Sequence, residues 1–242
     1  MPGRTFSPSL VHPKGTDTIA ATERLHALIN ASPDRPYVIA QLGQSLDGRI
    51  ATPTGASRWI NGDAALDHVH RLRANVDAVV VGVGTVIADD PMLTVRRVPG
   101  AHPARVVIDP NGRLPAGACV LNDDGVRCFV VCDGQRAALK GAERLVVARS
   151  DDDPIDPNDI VAALFKSGFK KILVEGGAST VSSFIDAGAV DRLHLLVAPI
   201  ILGSGMQGLS LQAIEGLDQA RRPRTSVHVL DDGDVLFDCA LK

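Results

Sequence analysis

VVVGVGTVIADDPMLTVR, Val79 to Arg96, is the stretch that decides the fold. From Ala78 to Val81 the chain carries the continuous apolar pattern of a buried strand, then runs straight into Gly82 and Gly84. Without a Cβ, glycine lets backbone approach a ligand closely. Thr85 starts a short helical turn, whose free amides attract anions. Asp89, Asp90 and Pro91 stop that turn, and Leu93 and Arg96 follow on an extended exit. A strand feeding glycines, a helix start and an arginine is the layout of a cofactor-and-substrate junction. It is also the layout of a plain tight βα connection. A dinucleotide fingerprint needs a third glycine where Ile87 stands, and no G-x-x-x-x-G-K-[ST] loop occurs.

Outward from this junction, strands alternate with helices. Tyr37 to Gly43 and Arg49 to Ala51 read as strands around the Leu46-Asp47-Gly48 turn. Asp63 is placed to cap a helix through Ala74, with Leu66, Val69 and Leu72 along one stripe. Arg105–Asp109, Arg127–Cys132 and Arg144–Ala148 read as strands, and Asp156-Pro157 opens a helix to Lys166. A strand over Lys171–Gly177, a helix over Ser179–Ala187 and a long strand over Arg192–Ile201 follow. Two β runs around the turn Asp231–Asp234 end the chain. This order predicts an α/β fold, with a mostly parallel central sheet flanked by helices and an antiparallel C-terminal hairpin. Residues 1–36 read as a tail or arm with a short helical stretch from Thr22 to Ala31, and residues 37–242 as one domain.

Composition narrows the function classes. An apolar share of 45% and a charged share of 22% are those of an ordinary globular chain long enough for a full core. A net charge of −3 and scattered aromatics give no platform for nucleic acid. The N-terminus has no secretory apolar stretch and no run approaches a membrane span, so a cytoplasmic protein with no membrane partner is expected. Cys119, Cys128, Cys132 and Cys239 lack zinc-ligand spacing and read as buried reduced thiols. His68 and His70 fall on different faces of a helix, so with Asp67 they make no metal site, and no metal is expected. Neither a G-x-S-x-G elbow nor a base-deaminase zinc signature is present.

A second junction supports the first. ILVEGGASTVSSF runs from a buried strand to Glu175, then Gly176, Gly177 and a hydroxyl-rich helix. The amides of Ala178 to Thr180 would point at a phosphate, and Glu175 sits at a strand carboxyl end, where open α/β sheets place ligands. A glycine turn beside an exposed glutamate is the bland alternative. Trp59, the one tryptophan, suits either a flat cofactor ring or core filling.

Five motifs in order then carry a family resemblance: SLDGRIAT (Ser45–Thr52), SRWI (Ser57–Ile60), HRLRANVDAVVVGVGTVIADDPMLTVR (His70–Arg96), VEGGAST (Val174–Thr180) and DRLHLLVAPIILG (Asp191–Gly203). They resemble the reductase domain of the riboflavin-biosynthesis deaminase–reductase and its stand-alone counterparts over roughly Tyr37 to Leu241. The resemblance implies a dihydrofolate-reductase-like fold, NADPH as cofactor and a homodimer. It implies reduction of the ribosyl group of a (ribosylamino)pyrimidine or uracil 5′-phosphate to the ribityl form, by hydride transfer to C1′. It places Gly43, Trp59, Thr85 and Asp89 on the cofactor, and Gly177, Ala178, Ser179, Thr180, Val181, Ser182 and Ser183 around the NADPH phosphates. Ser57, Arg73, Leu93, Arg96 and Glu175 fall on the substrate, with Glu175 also the catalytic carboxylate. The arginines suit a sugar phosphate, although Arg73 alone would read as a surface salt bridge.

Asp47 is a second carboxylate candidate. Pro110 stands where the family often has a serine, and the deaminase half is absent, so no deamination is expected. Two other functions compete. One is NADPH-dependent reduction of a related heterocycle such as a pterin, dihydrofolate or a specialised flavin-like metabolite. The other is NADPH binding without catalysis.

Overall fold

The computed structural model describes residues 22–58, 60–134, 139–148 and 154–242. Residues 1–21 of the expected N-terminal arm, Trp59, and Asp151 to Asp153 lie outside the described residues.

Period-two burial builds the centre of the molecule. β1 (Tyr37–Ser45), β3 (Ala78–Gly82), β4 (Ala104–Ile108), β5 (Cys128–Cys132) and β7 (Lys171–Glu175) are buried along both faces. Such strands need helices on each side. Val38, Ala40, Val80, Val106 and Val174 enter one core, where α4 (Pro157–Lys166) adds Ile160 and Leu164 and α5 (Ala178–Asp186) adds Val181 and Phe184. Their neighbours Ile39, Val79, Val81, Val107 and Leu173 enter the opposite core. There α1 (His26–Ile29) adds Leu28, α2 (Asp63–Arg73) adds Leu72, and α3 (Val83–Asp89) adds Val83 and Val86.

The sheet runs β10 (Arg224–Val229), β11 (Val235–Ala240), β8 (Arg192–Ala198), β1, β7, β3, β4, β5, β6 (Glu143–Val146). From β8 to β6 every pairing is parallel, and β11 and β10 add antiparallel strands at one edge. β2 (Arg49–Ala51) pairs separately with β9 (Met206–Gln207). The expected α/β architecture with its antiparallel C-terminal hairpin is the one observed.

Three local expectations are corrected. The long strand from Arg192 stops at Ala198 rather than Ile201, because Pro199 has no N–H for the ladder. Asp63 is the first helical residue of α2 rather than its cap. Gly62 holds the cap position, and the Asp232 carboxylate, from the β10–β11 turn, accepts the Ala64 amide at 2.7 Å. The helical stretch before β1 is interrupted rather than continuous: Thr22 and Glu23 are helical, a turn follows at Arg24 and Leu25, and helix resumes over His26–Ile29, with Leu25 and Leu28 buried in the core. Residue 36 is therefore not a break in packing.

Candidate active site

Two glycine junctions lie side by side because β3 and β7 are neighbours, with Val80 opposite Val174. α3 begins at Val83, two residues before the expected Thr85, since Gly82 takes the extended cap conformation and Val83 and Val86 bury one turn apart. Thr85 thus falls in the first turn, and its hydroxyl accepts the Gly177 amide at 2.8 Å. The packing is reciprocal: a Cβ on Gly82 would collide with the Thr180 hydroxyl, and one on Gly176 would sit 3.0 Å from the Thr85 hydroxyl. Gly176 also holds φ 121°, open only to glycine. The two junctions close on each other like interlocked teeth.

Gly177 caps α5 without a side-chain bond. The Thr180 and Val181 amides are already spent on the Gly177 carbonyl, at 3.1 and 3.3 Å. Ala178 and Ser179 keep free amides among the described residues, so the expected donor set of Ala178 to Thr180 narrows to these two. Gly177, Ala178, Ser179, Thr180, Ser182 and Ser183 line a cleft of about 1430 Å³ across the carboxyl ends of the sheet. Val181 does not: its side chain is fully buried in the core beneath α5. The Ser182 hydroxyl accepts the Ser210 amide at 2.9 Å, tying the loop after β9 to the helix.

Glu175 ends β7 inside the same cleft. Arg73, at the end of α2, grips it: Nε lies 3.1 Å from both carboxylate oxygens and Nη2 lies 2.6 Å from Oε2. Arg73 Nη1 donates to the Thr94 carbonyl at 3.1 Å. The two side chains are only 11% and 8% exposed, so this is a buried pair rather than a surface bridge. Leu93 lines the cleft beside them, with a strained φ of 54°. Gly43 lines it too, and a Cβ there would collide with the Asn61 amide. On the wall from the β2–α2 connection, Ser57 approaches Asp89 at 3.5 Å.

Arg96 sits outside the cleft lining, its guanidinium on the Thr94 hydroxyl at 3.3 Å. Burial, then Arg73 and Arg97, push its guanidinium below the ordinary value. Arg97 is neutralised by Asp63 and Asp67, at 2.8 and 2.5 Å, whereas Arg96 has no such carboxylate among the described residues. An arginine crowded by arginines is receptive to an anion.

Asp47 is corrected outright. Its oxygens accept the Ser45 hydroxyl at 2.6 Å and the Leu202 and Gly203 amides at 3.0 and 2.7 Å, which hold it down to about 2. It pins a loop and does not line the cleft. Cys119 is half-buried rather than buried, and its thiol bonds Asp90 at 3.0 Å.

A family model, the RibD C-terminal domain, matches residues 36–232. The chain belongs to this family. The 2,5-diamino-6-ribosylamino-4(3H)-pyrimidinone 5′-phosphate reductase of Methanothermobacter thermautotrophicus is 38% identical over 192 residues, covering 76% of this chain and 87% of that protein. The riboflavin biosynthesis protein RibD of Aquifex aeolicus is 34% identical over 212 residues, covering 84% of this chain but 58% of the relative. The chain thus spans little more than half the length of that RibD. Acinetobacter baumannii RibD superposes with a TM-score of 0.75 at 30% identity, over 94% of this chain and 64% of that one. The dihydrofolate-reductase-like fold class rests on this whole-chain likeness to RibD reductases.

Within this RibD-family cleft, Asn61 and Arg113 had not stood out in the sequence. Asn61 is held by Asp234 of the β10–β11 turn at 3.0 Å, a contact between residues 173 positions apart. Arg113 has a local signal, a basic residue in the turn after a strand, that gains meaning only once β4 is seen beside β3.

His68 and His70 diverge. His68 Nε2 meets His194 Nδ1 at 2.8 Å in the core, while His70 Nδ1 accepts the Arg96 amide at 3.1 Å. Burial, then the charges of Arg73, Arg96 and Arg97, bring His70 down to about 4, and burial pushes His68 well down. Their folded values lie below the unfolded one near 6.5, so the unfolded chain binds protons first as pH falls. Stability is full above pH 6.5 and is lost toward pH 4, by up to about 1.4 kcal/mol per pH unit for each histidine. Urea unfolding at pH 7.5 and pH 5 measures this. His70→Asn, which keeps an acceptor without the titration, lessens the dependence and leaves the His68 share, and equal stability of the native chain at both pH values would contradict it.

Proposed function

We propose that this chain is an NADPH-dependent reductase that converts the ribosyl group of a (ribosylamino)pyrimidine 5′-phosphate, diamino-pyrimidinone or uracil, to the ribityl form. The observation that carries the reading is the buried Arg73–Glu175 pair, set in the cleft against two interlocked junctions with free amides at Ala178 and Ser179. That cleft, about 1430 Å³, has room for a dinucleotide and a second ligand. When bound, NADPH supplies the hydride.

The chain's own residues do the rest. The Ala178 and Ser179 amides and the positive end of α5 receive the pyrophosphate. Gly43, Thr85 and Asp89 shape the walls around the nucleotide, and Ser57 and Leu93 those around the pyrimidine. Arg73 fixes the rotamer of Glu175, so the carboxylate faces the sugar C1′ without reorganising. There it stabilises the positive charge of the iminium that forms when the open-chain imine takes a proton from solvent, and hydride addition to C1′ then neutralises that charge. Arg96 turns from Thr94 to the 5′-phosphate, forming a clamp with the outer donors of Arg73. The same reading carries homodimerisation. The outer edge of β10, unpaired among the described residues and with Val227 and Val229 exposed, is the surface it uses.

Purified protein with NADPH and each phosphorylated pyrimidine, followed by nicotinamide oxidation and ribityl product, tests the assignment. Turnover is expected, with kcat/KM falling at least about 100-fold when the 5′-phosphate is removed. NADPH binding with no turnover on either pyrimidine would overturn it.

A further inference from the structure

Beyond the glycine junctions the cleft continues past the carboxyl end of β4. Ile108, Pro110 and Arg113 line it there together with Ile155, Pro157 and Ile160. Of these six side chains, five are apolar and one is a cation. Of the other arginines lining the cleft, Arg73 is held by Glu175 and Arg58 belongs to the β2–α2 wall. The Arg113 side chain is exposed and its guanidinium bonds no described residue. Its backbone is nevertheless pinned. Asp109, 1% exposed, accepts the Arg113 amide at 2.9 Å and the Leu114 amide at 2.8 Å. A free guanidinium on a fixed backbone is an anion receptor organised in advance.

We propose that Arg113 binds the 2′-phosphate of NADPH and thereby sets the preference for NADPH over NADH. The assignment rests on the cofactor reading above. With the nicotinamide near Glu175 and the pyrophosphate on α5, the adenosine half extends along the strand ends. β7, β3 and β4 are successive neighbours, so the end of β4 lies two strand spacings, about 10 Å, from that of β7. The apolar side chains there suit the faces of an adenine. The charged group that distinguishes the two nucleotides at this end is the 2′-phosphate, and the planar guanidinium fork matches its oxygens. NAD sites usually set a strand-end carboxylate on the ribose 2′-hydroxyl. Asp109 holds that place here, but it is buried and both its oxygens are turned to backbone amides.

Equilibrium binding of NADPH and NADH, read by nicotinamide fluorescence on the native chain and on Arg113→Ala and Arg113→Lys, decides it. The native chain is expected to bind NADPH at least 10-fold tighter than NADH. R113A weakens NADPH by about 10–100-fold, leaves NADH within about twofold and so erases the preference, while R113K recovers part of it. Unchanged thermal melting of R113A, expected for an exposed side chain, excludes misfolding. A native preference that survives in R113A overturns the assignment and leaves the cofactor reading standing. Equal native affinity for both nucleotides also overturns it. Binding of neither nucleotide overturns the cofactor reading itself, and this assignment with it.

Discussion

Glu175→Gln is expected to lower kcat by about 10²–10³-fold while NADPH binding stays within about threefold. The substitution keeps the shape of the side chain at the end of β7 and removes its charge. What is lost is the field that the carboxylate aims at the sugar carbon, which is needed most at the transition state, so the deficit falls on kcat more than on KM. A second effect accompanies it. Arg73 is 11% exposed and its partner 8%, so the variant leaves a buried guanidinium without a counter-ion, at about 3–5 kcal/mol of stability. The double variant Glu175→Gln with Arg73→Met separates the two. Removing both charges should restore most of the stability and none of the turnover. Steady-state kinetics, NADPH titration and urea unfolding on the same preparations read all three quantities. Full turnover in the single variant would reduce Glu175 to a structural partner of Arg73.

Asp124→Ala should destabilise the chain by about 3–5 kcal/mol, or roughly 6–20 °C in Tm, with the active-site groups untouched. Arg105 projects from β4 into the interior and is 1% exposed. Its guanidinium donates to the Val120 and Asn122 carbonyls at 3.2 and 3.3 Å and pairs with Asp124, whose carboxyl it pulls below the usual range. Three contacts are thus spread over residues 120–124 of the long β4–β5 connection, the segment that also carries Arg113. Taking away Asp124 strands a buried cation. Arg105→Met with Asp124→Ala removes the charge while keeping much of the volume, and should recover most of the loss. If Asp124→Ala alone melts within about 2 °C of the native chain, the pair is not holding this connection.

Much of the architecture was legible because burial has a period. Val79, Val80 and Val81, and likewise Ile172, Leu173 and Val174, announce strands covered on both faces, and both sets enter the two cores as alternation requires. The glycines of both junctions were equally visible, and so was Glu175 at a strand end. Asp47 misled because a carboxylate beside a glycine turn reads the same whether it meets a substrate or, as here, the Leu202 and Gly203 amides. Val181 misled because a contiguous stretch was carried over whole, whereas a helix turns every fourth residue or so into the core.

By itself, the sequence determined which segments are strands and helices, which faces they bury, where backbone must approach closely, and the family. These follow from local periodicity and from residue types whose conformational limits travel with them. Tertiary structure alone decided the pairings. Arg73 meets Glu175 across 102 positions, the Gly177 amide meets Thr85 across 92, and Asp232 caps α2 from 168 positions away. A charge or a hydroxyl carries no local mark of its partner. Its partner is set by which strands become neighbours, and the order β1, β7, β3, β4 is a property of the whole packed sheet.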